Sequence, residues 1–473
     1  MSAPLRALID GELVAGAGTL AVARKDKGEL LAQAPLCDEA EIERAAAAAT
    51  RAFATTRSLA GFERAEILRR IRDGIAARKD ELARTLALEA GKPIRAARAE
   101  IDRALHTFAC SAEEATRIHG DLLPLDSAPH ARGRSGMLRR FPVGPVAGIT
   151  PFNFPLNLVA HKVGPAIAAG CSIVLKPASA TPLSALALGE IVAASGAAPG
   201  SVNVVPCPSA LGEKLAVDPR FAALTFTGSA AVGWRLRAIA GRKRVVLELG
   251  GNAAVIVHDD ADLAVAIPKI VAGAFGYAGQ SCISVQRILV QRRIVPDVAR
   301  ELVVKTEGLK VGDVLAEDTD IGPMIDEDAA RKTESSIQDA VRSGAKLLTG
   351  GDRRGAWVTP ALLQDVPHDC GLWCQEAFAP VAVIEAYDTW DQALALCNAS
   401  DFGLQAGIFT RDFGRIMQAY DVLEVGGVMV GEVPTWRVDP MPYGGTKGSG
   451  IGREGVRYAI EDLTEPKLLV WSR

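Results

Sequence analysis

The sequence predicts an α/β protein in which a doubly wound, dinucleotide-type parallel sheet is followed by a second α/β domain. Short apolar strands alternate with helices from "VAGITP" onward, a pattern typical of a parallel sheet covered by helices on both faces. A second alternating set runs from "AAVIVH" to "AGIFTR". The chain has 473 residues, enough for about two to three domains.

The first third of the chain is predicted to be helical. An Ala/Glu/Arg-rich helix follows Asp38, whose side chain suits an N-cap. A second helix is expected over roughly residues 62–90, because "GKP" is a strong stop signal, and a third over about residues 94–118.

The strands of the first sheet are predicted next, with helices between them. They are "VAGITP", "SIVLKP", "SVNVV", "AALTF" and "RVVLEL". Pro155 can open the helix after the first strand and Gly170 can close it. The second set comprises "AAVIVH", "RILVQ", "KLLTG", "AVIEAY" and "AGIFTR", while "SGMLRRFPVGPVAGI" and "PKLLVW" indicate strands outside both sheets.

Composition excludes several classes of function. A formal net charge of -3 without a basic patch argues against a nucleic-acid partner. Six scattered histidines indicate no metal site, and eight irregularly spaced cysteines indicate no disulfide framework. The first residues do not resemble a signal peptide, and charged residues and glycines interrupt the most apolar stretch, so we expect a cytoplasmic protein without a membrane span.

Three residues at predicted turns could carry covalent chemistry. Cys282, among small neighbours in "FGYAGQSCIS", is either a reachable nucleophile or a quiet structural thiol. Glu248 closes an apolar strand, where desolvation would raise its pKa and suit a general base, although an N-cap or a surface charge is the alternative. Asn153, in the stiff loop "TPFNFP", is an oxyanion donor or simply a turn residue.

Two further features suit a nucleotide ligand. Lys176 ends a predicted strand and would face the ligand crevice, unless it is an exposed loop lysine. Gly228-Ser229 precedes a helix and could aim backbone N–H groups at a phosphate, unless the glycine only serves packing. The G-x-G-x-x-G fingerprint is absent, so a simple Rossmann motif does not apply.

Seven ordered motifs together resemble the aldehyde dehydrogenase superfamily over essentially the whole chain. They are "PFNFP", "KPASATP", "FTGS", "LELGGN", "GQSC", "EAFAP" and "MPYGGTKGSGIGREG". The segment "VPTWRVDPMPYGG" resembles the branch of phosphonoacetaldehyde, lactaldehyde and non-phosphorylating glyceraldehyde-3-phosphate dehydrogenases.

The resemblance implies a role for each matching residue. Cys282 matches the nucleophile, Glu248 the general base, Asn153 the oxyanion amide and Lys162 a lysine near the active site. The implied cofactor is NAD or NADP, and the matching positions are Thr150, Pro151, Phe152, Lys176, Ser179, Gly228, Ser229, Leu249, Gly250, Glu376 and Phe378. Ser179 stands where NAD-preferring members often carry a glutamate, so use of NADP is plausible.

The resemblance also implies the architecture. Residues 1–120 and 142–251 are expected to form the NAD(P)-binding domain and residues 252–448 the catalytic domain. Residues 121–141 and 449–473 are expected to supply an oligomerisation β-arm and a C-terminal segment, in a homodimer or homotetramer.

The substrate is expected to be a small anionic or hydroxylated aldehyde of the phosphonoacetaldehyde, sulfoacetaldehyde, lactaldehyde or semialdehyde type. Arg103 and Arg437 match positions that line the substrate funnel, and guanidinium groups bind anions bidentately. Ser281, Ile283 and Tyr443 are the other substrate-site candidates. Alternatively, Arg103 is a solvated surface charge on a helix or pairs with Asp102 or Glu100.

Three other functions remain alternatives. A CoA-acylating aldehyde dehydrogenase would make Glu248 redundant, since CoA would replace water. A cofactor-independent cysteine acyl hydrolase would not need Lys176 and Glu376. A purely structural role would leave the set of Cys282, Glu248 and Asn153 without a purpose.

Overall fold

The computed structural model describes residues 5–472 and confirms the α/β fold class. The strands are β1 (Ala7–Ile9), β2 (Glu12–Val14), β3 (Gly18–Ala23), β4 (Leu30–Leu36), β5 (Asp121–Pro124), β6 (Arg134–Pro142), β7 (Val146–Ile149), β8 (Ile173–Lys176), β9 (Val202–Val204), β10 (Ala223–Thr227), β11 (Arg244–Glu248), β12 (Ala253–Val257), β13 (Val285–Gln291), β14 (Lys346–Thr349), β15 (Arg353–Arg354), β16 (Trp357–Val358), β17 (Ala361–Gln364), β18 (Val381–Tyr387), β19 (Phe402–Gly403), β20 (Gln405–Phe409), β21 (Gly427–Val430), β22 (Thr446–Lys447), β23 (Gly450–Ile451) and β24 (Thr464–Ser472).

Helices of four to 21 residues connect and cover these strands. They are α1 (Glu39–Thr56), α2 (Gly61–Ala77), α3 (Lys79–Ala90), α4 (Ile94–Glu114), α5 (Asn157–Ala169), α6 (Leu183–Ala193), α7 (Ser209–Val217), α8 (Ala230–Ile239), α9 (Leu263–Phe275), α10 (Val295–Glu307), α11 (Glu327–Arg342), α12 (Gly371–Cys374), α13 (Trp390–Asn398), α14 (Phe413–Val422) and α15 (Val456–Asp462).

Two large sheets carry the two apolar cores of the molecule. The first has the strand order β2-β1-β9-β8-β7-β10-β11-β23, and its five middle strands are parallel. The second has the order β14-β17-β18-β13-β12-β20-β21 and is parallel except at β14. Burial of the parallel strands on both faces explains their continuous apolar runs.

A third, antiparallel sheet lies outside both large ones, as the sequence predicts. Strand β24 pairs with β6 along its whole length, and β6 also pairs with β5. The last residues of the "SGMLRRFPVGPVAGI" segment form β7 and belong to the first large sheet.

The beginning of the chain differs from the helical prediction. Residues 7–36 form two antiparallel hairpins, β1–β2 and β3–β4, before α1 begins with the predicted Asp38 cap. The helix expected over residues 62–90 is two helices, because Arg78 leaves the helical region with φ -112° and ψ 19°. The third helix ends at Glu114, four residues earlier than expected.

No helix within residues 5–472 combines the length and the apolar character needed to cross a membrane. In the same range, no group of three or more histidine, cysteine or acidic side chains is arranged to hold a metal ion.

Candidate active site

A cavity of about 610 Å³ opens between the two large sheets. The carboxyl ends of β10 and β11 form one wall, and the segment after α9, the loop before α5 and the loop after β21 form the others. Ligands of open parallel sheets bind at this edge. Cys282, Glu248 and Asn153, which lie far apart in the sequence, all line this one cavity.

A strained turn positions Cys282. Tyr277, Ala278 and Gly279 all have left-handed backbone angles, with φ of 53°, 52° and 65°. A Cβ atom on Gly279 would lie 2.0 Å from the carbonyl oxygen of Ala379, so only glycine permits this close approach. Backbone strain of this kind persists where the surrounding structure enforces it, often at functional sites.

The thiol of Cys282 has one polar side-chain partner among the described residues. Its Sγ atom lies 3.0 Å from the hydroxyl oxygen of Tyr443. Burial raises the pKa of the Cys282 thiol to about 12, and the carboxyl groups of Glu376 and Glu248 act in the same direction. The hydrogen bond from Tyr443 and the charge of Arg437 lower that pKa.

The amide of Asn153 is held in place from several sides. Its Nδ2 atom donates to the carbonyl oxygen of Gln280 at 3.0 Å, which leaves a second N–H for another acceptor. Its backbone oxygen accepts a hydrogen bond of 2.9 Å from the ammonium group of Lys92. Within residues 5–472, the backbone N–H of Cys282 donates to no acceptor, so it is also available as a donor.

A buried ion pair supports the loop that carries Asn153. Lys92 pairs with Glu100, and Oε1 of Glu100 accepts the backbone N–H groups of Leu156 and Asn157 at 3.1 Å each. The ammonium group of Lys92 also lies 3.8 Å from the ring centre of Phe154. Sequence analysis missed Lys92, because "GKP" already had an explanation as a helix stop, and it considered Glu100 only as a partner of Arg103.

Two of the glutamates that line the cavity, Glu248 and Glu454, have opposite electrostatic environments. Glu248 is buried and neither of its carboxyl oxygens has a hydrogen-bond partner. Burial raises the pKa of Glu248 well above its ordinary value, and the neighbouring charge of Glu454 adds to the effect. Burial would also raise the pKa of Glu454, but Lys162, Arg437 and other nearby cationic groups outweigh it and lower that pKa to about 2.

Lys162 does not line the cavity, but it lies next to Glu454, which does. Its ammonium group donates to the hydroxyl of Thr225 at 3.0 Å and is 3.7 Å from Glu454, and burial lowers its pKa. Sequence analysis quoted the motif that contains Glu454 but assigned that residue no role.

One end of the cavity has the features that NAD(P) requires. Oε1 of Glu376 accepts the backbone N–H of Gly251 at 2.9 Å, and burial raises the pKa of Glu376 to about 7. A Cβ atom on Gly250 would lie 2.3 Å from Oε2 of the same carboxyl, so a larger residue there would have to displace the side chain of Glu376. Ser229 is the N-cap of α8, whose N-terminus favours a phosphate. The carboxyl group of Glu376 and the N-terminus of α8 thus share one wall of the cavity.

The structure divides the cofactor candidates into two groups. The cavity is lined by Pro151, Phe152, Gly228, Ser229, Leu249, Gly250, Glu376 and Phe378, and the rings of Phe152 and Phe378 meet edge to face at 5.8 Å. Thr150, Lys176 and Ser179 do not line it. The ammonium group of buried Lys176 donates to the carbonyl oxygen of Pro177 at 3.1 Å, and Ser179 is exposed beyond the end of β8.

All five substrate-site candidates line the cavity, but its two arginines differ in their partners. Arg437 donates to Oε2 of Glu454 at 3.0 Å and stacks 3.6 Å from the ring centre of Tyr443. Arg103 forms no ion pair among the described residues. Its neighbours are engaged elsewhere, because Asp102 pairs with Lys79 and Glu100 pairs with Lys92. The alternative in which Arg103 pairs on its own helix is therefore wrong.

Burial lowers the pKa of Arg103, and the charge of Arg437 lowers it further. The positive charges of the two guanidinium groups repel each other, and an anion bound between them would stabilise both. Ser281 and Ile283 flank Cys282 in the same wall.

Comparisons with known proteins agree with this geometry. Residues 14–469 match the family model described as "Aldehyde dehydrogenase family". A 3-sulfolactaldehyde dehydrogenase from Priestia aryabhattai is 44% identical to this chain over 463 residues, which cover 98% of this chain and 97% of the relative.

Two solved structures match nearly the whole chain. Aldehyde dehydrogenase 21 from Physcomitrella patens, in complex with the reaction product succinate, has a TM-score of 0.98 and 43% identity, with 99% of each chain covered. Glyceraldehyde-3-phosphate dehydrogenase GapN from Methanocaldococcus jannaschii, complexed with NADP, has a TM-score of 0.93 and 37% identity over 96% of this chain and 99% of its own. These relatives are consistent with the branch that the motif around Arg437 resembles.

Proposed function

The chain belongs to the aldehyde dehydrogenase family, an oxidoreductase class that acts on aldehydes, and we propose that its substrate is a small aldehyde with a second, anionic group. The product is the corresponding carboxylic acid. The observation that carries this proposal is Arg103, a guanidinium group in the cavity wall with no ion-pair partner among the described residues. Arg103 is half-buried, and a cation partly removed from water without a counter-ion is destabilised, which an anionic substrate would relieve.

The names of the relatives support an anionic substrate. Sulfolactaldehyde carries a sulfonate, succinate a carboxylate and glyceraldehyde 3-phosphate a phosphate. Each of these groups offers two oxygens to a guanidinium fork. Arg437 is already engaged by Glu454, so we assign the main contact with the anion to Arg103.

The proposed reaction begins at Cys282. Its sulfur adds to the aldehyde carbon, and the Asn153 amide and the Cys282 backbone N–H stabilise the oxyanion that forms. The carbon bound to Cys282 then loses a hydride, for which NAD(P) held in the cavity would be the acceptor, and a thioester on Cys282 would remain. The carboxylate of Glu248 then removes a proton from a water molecule, which attacks the thioester and releases the acid.

We propose that Glu376 and the N-terminus of α8 hold the cofactor, with Phe378 beside its nicotinamide ring. Lys176 and Ser179 would contact the adenosine ribose. A serine rather than a glutamate at position 179 leaves room for a 2′-phosphate, so we expect NADP to be accepted.

An aldehyde panel tests the substrate proposal. Sulfolactaldehyde, succinic semialdehyde and glyceraldehyde 3-phosphate would be compared with uncharged propanal on the wild type and on Arg103→Met. Charge-assisted hydrogen bonds contribute about 1.5–3 kcal/mol each, so kcat/KM for the best anionic substrate should fall about 10- to 150-fold. The rate with propanal should change little.

Arg98→Met is the matched control for this panel. Arg98 lies on the same helix, but it pairs with Glu317 at the surface and does not line the cavity. Its replacement should leave both classes of aldehyde unaffected. Equal losses on anionic and uncharged aldehydes in Arg103→Met would overturn the assignment of Arg103.

We also propose the domain roles predicted from the sequence and a homodimer or homotetramer. Residues 1–120 and 142–251 would bind the cofactor, residues 252–448 would supply Cys282, and residues 121–141 and 449–473 would form the arm and C-terminal segment. The antiparallel sheet exposes large apolar side chains of β24, such as Leu469 and Trp471, which a second chain could cover. Light scattering after size-exclusion chromatography would test this, and a monomer at micromolar concentration would contradict it.

A further inference from the structure

The hydroxyl of Tyr443 is placed against the sulfur of the proposed nucleophile, at 3.0 Å from Sγ of Cys282. The apolar side chains that cluster with Cys282 and Tyr443 are Ile283 and Leu404, which offer this hydroxyl no hydrogen bond. A phenylalanine would pack against them as well as a tyrosine does. The hydroxyl group is therefore the part of Tyr443 that packing does not explain.

Two independent contacts hold the phenol in place. The backbones of Tyr443 and Glu454 exchange hydrogen bonds of 2.9 and 2.6 Å, which anchor its Cα end. The guanidinium group of Arg437 stacks 3.6 Å from the centre of its ring. Arg437 is itself tied to Glu454, so ring and cation form one unit with a fixed geometry.

A cation over the ring makes the phenol a better hydrogen-bond donor. The positive charge draws electron density from the ring and polarises the O–H bond. Burial raises the pKa of Tyr443 well above its usual value, so the phenol keeps its proton. It can then donate a hydrogen bond without transferring the proton.

The groups around Cys282 act on its ionisation in opposite directions. Burial and the carboxyl groups of Glu376 and Glu248 disfavour a negative sulfur, whereas Tyr443 and Arg437 favour it. Without the hydroxyl of Tyr443, only Arg437 among these groups would favour a negative sulfur, against burial and the two acidic side chains. Hydrogen bonds to a charged acceptor are about twice as strong as neutral ones, so the contact with Tyr443 gains strength when the thiol ionises.

We propose that Tyr443 is a catalytic residue whose hydroxyl donates a hydrogen bond to the ionised sulfur of Cys282 and stabilises the nucleophile before it adds to the aldehyde. In this step the thiol proton leaves to solvent, the sulfur keeps the electron pair, and Tyr443 keeps its own proton. The inference rests on the proposed function, because it assigns Cys282 the role of nucleophile.

Alkylation of Cys282 by iodoacetamide, without aldehyde or cofactor, tests the inference separately from turnover. The sulfur displaces iodide, and mass spectrometry of the peptide that contains Cys282 gives the rate at each pH. In Tyr443→Phe, a smaller thiolate fraction is partly offset by higher nucleophilicity, so the rate should fall about 3- to 10-fold at each pH below the midpoint. The midpoint should move to higher pH.

Tyr387→Phe is the matched control. Tyr387 is also fully buried, and its hydroxyl lies 2.8 Å from Nδ1 of His258, outside the cavity. This variant also loses buried hydroxyl contacts, to His258 and to the carbonyl oxygen of Val257 at 3.4 Å, but its alkylation profile should match that of the wild type.

A second variant keeps the packing intact and should raise, rather than lower, the alkylation rate of Cys282. Replacing Tyr443 with 3,5-difluorotyrosine makes the phenol a stronger donor, so alkylation of Cys282 should be faster than in the wild type at the same pH. A profile that is the same for wild type, Tyr443→Phe and the fluorinated protein would overturn the inference. A wild type that oxidises no aldehyde would overturn the proposed function but leave the alkylation result standing.

Discussion

Replacing Lys92 by methionine should destabilise the protein by about 3 kcal/mol, although both side chains have similar lengths. The side chains of Lys92 and Glu100 are only 1% and 0% exposed, so the change leaves a carboxylate buried without its cation. Removing one partner of such a pair costs about 3–5 kcal/mol. Two backbone N–H groups still donate to Glu100, which places the expected cost at the lower end.

A second lysine–carboxylate pair, which also uses an acidic residue of α4, provides the control. Lys79 pairs with Asp102, but these side chains are 38% and 56% exposed. Exposed pairs contribute about 0–1 kcal/mol, so Lys79→Met should unfold nearly as the wild type does. Urea unfolding at one protein concentration, followed by tryptophan fluorescence, compares the midpoints of the variants.

A double variant separates the buried charge from lost packing. Lys92→Met with Glu100→Gln removes the stranded carboxylate, so it should be more stable than Lys92→Met alone. Lys92→Met should also have a lower kcat, because Lys92 supports the backbone of Asn153. Equal urea midpoints for Lys92→Met and Lys79→Met would refute this reasoning.

Four further predictions concern the proposed reaction. Glu248→Gln should complete one hydride transfer and stall, with the acyl group detected on Cys282 by mass spectrometry; steady turnover would contradict the assignment of the base. Asn153→Ala should lower kcat on the order of 100- to 1,000-fold through the loss of an oxyanion donor, and a loss under tenfold in steady-state rates would argue against that role. The pKa of Glu248 is raised, so its carboxylate form is populated only above the ordinary pH range of a carboxyl group, and kcat should rise with pH. A pH profile that is flat from about 5 to 8 would exclude control of kcat by the ionisation of Glu248. Ser179→Glu should weaken NADP more than NAD in paired KM measurements, since a new carboxylate repels the 2′-phosphate; an equal change in both KM values would contradict it.

The sequence predicted most of the fold because its strands are buried on both faces. Such strands are short apolar runs, which the alternation with helices makes recognisable. The hairpins of residues 7–36 escaped detection, because β2 and β3 are partly exposed and lack a continuous apolar run. The break at Arg78 was also missed, since no glycine or proline marks it.

Local sequence also identified the candidate residues that lie at turns and strand ends. Cys282, Glu248, Asn153 and Glu376 each stand in a short motif, and the fold brings all four to one cavity. The contact between Tyr443 and Cys282 joins residues 161 positions apart, and no local pattern indicates it.

The sequence by itself determined the class of the fold and supplied the candidate residues for the chemistry, because these follow from apolar periodicity and from side-chain type. Only the tertiary structure decided how the charges are compensated. It pairs Arg437 with Glu454, leaves Arg103 without an ion-pair partner among the described residues, and moves the pKa values of Glu248 and Glu454 in opposite directions. The physical reason is that electrostatic interactions depend on distance and burial, which the order of residues along the chain does not specify.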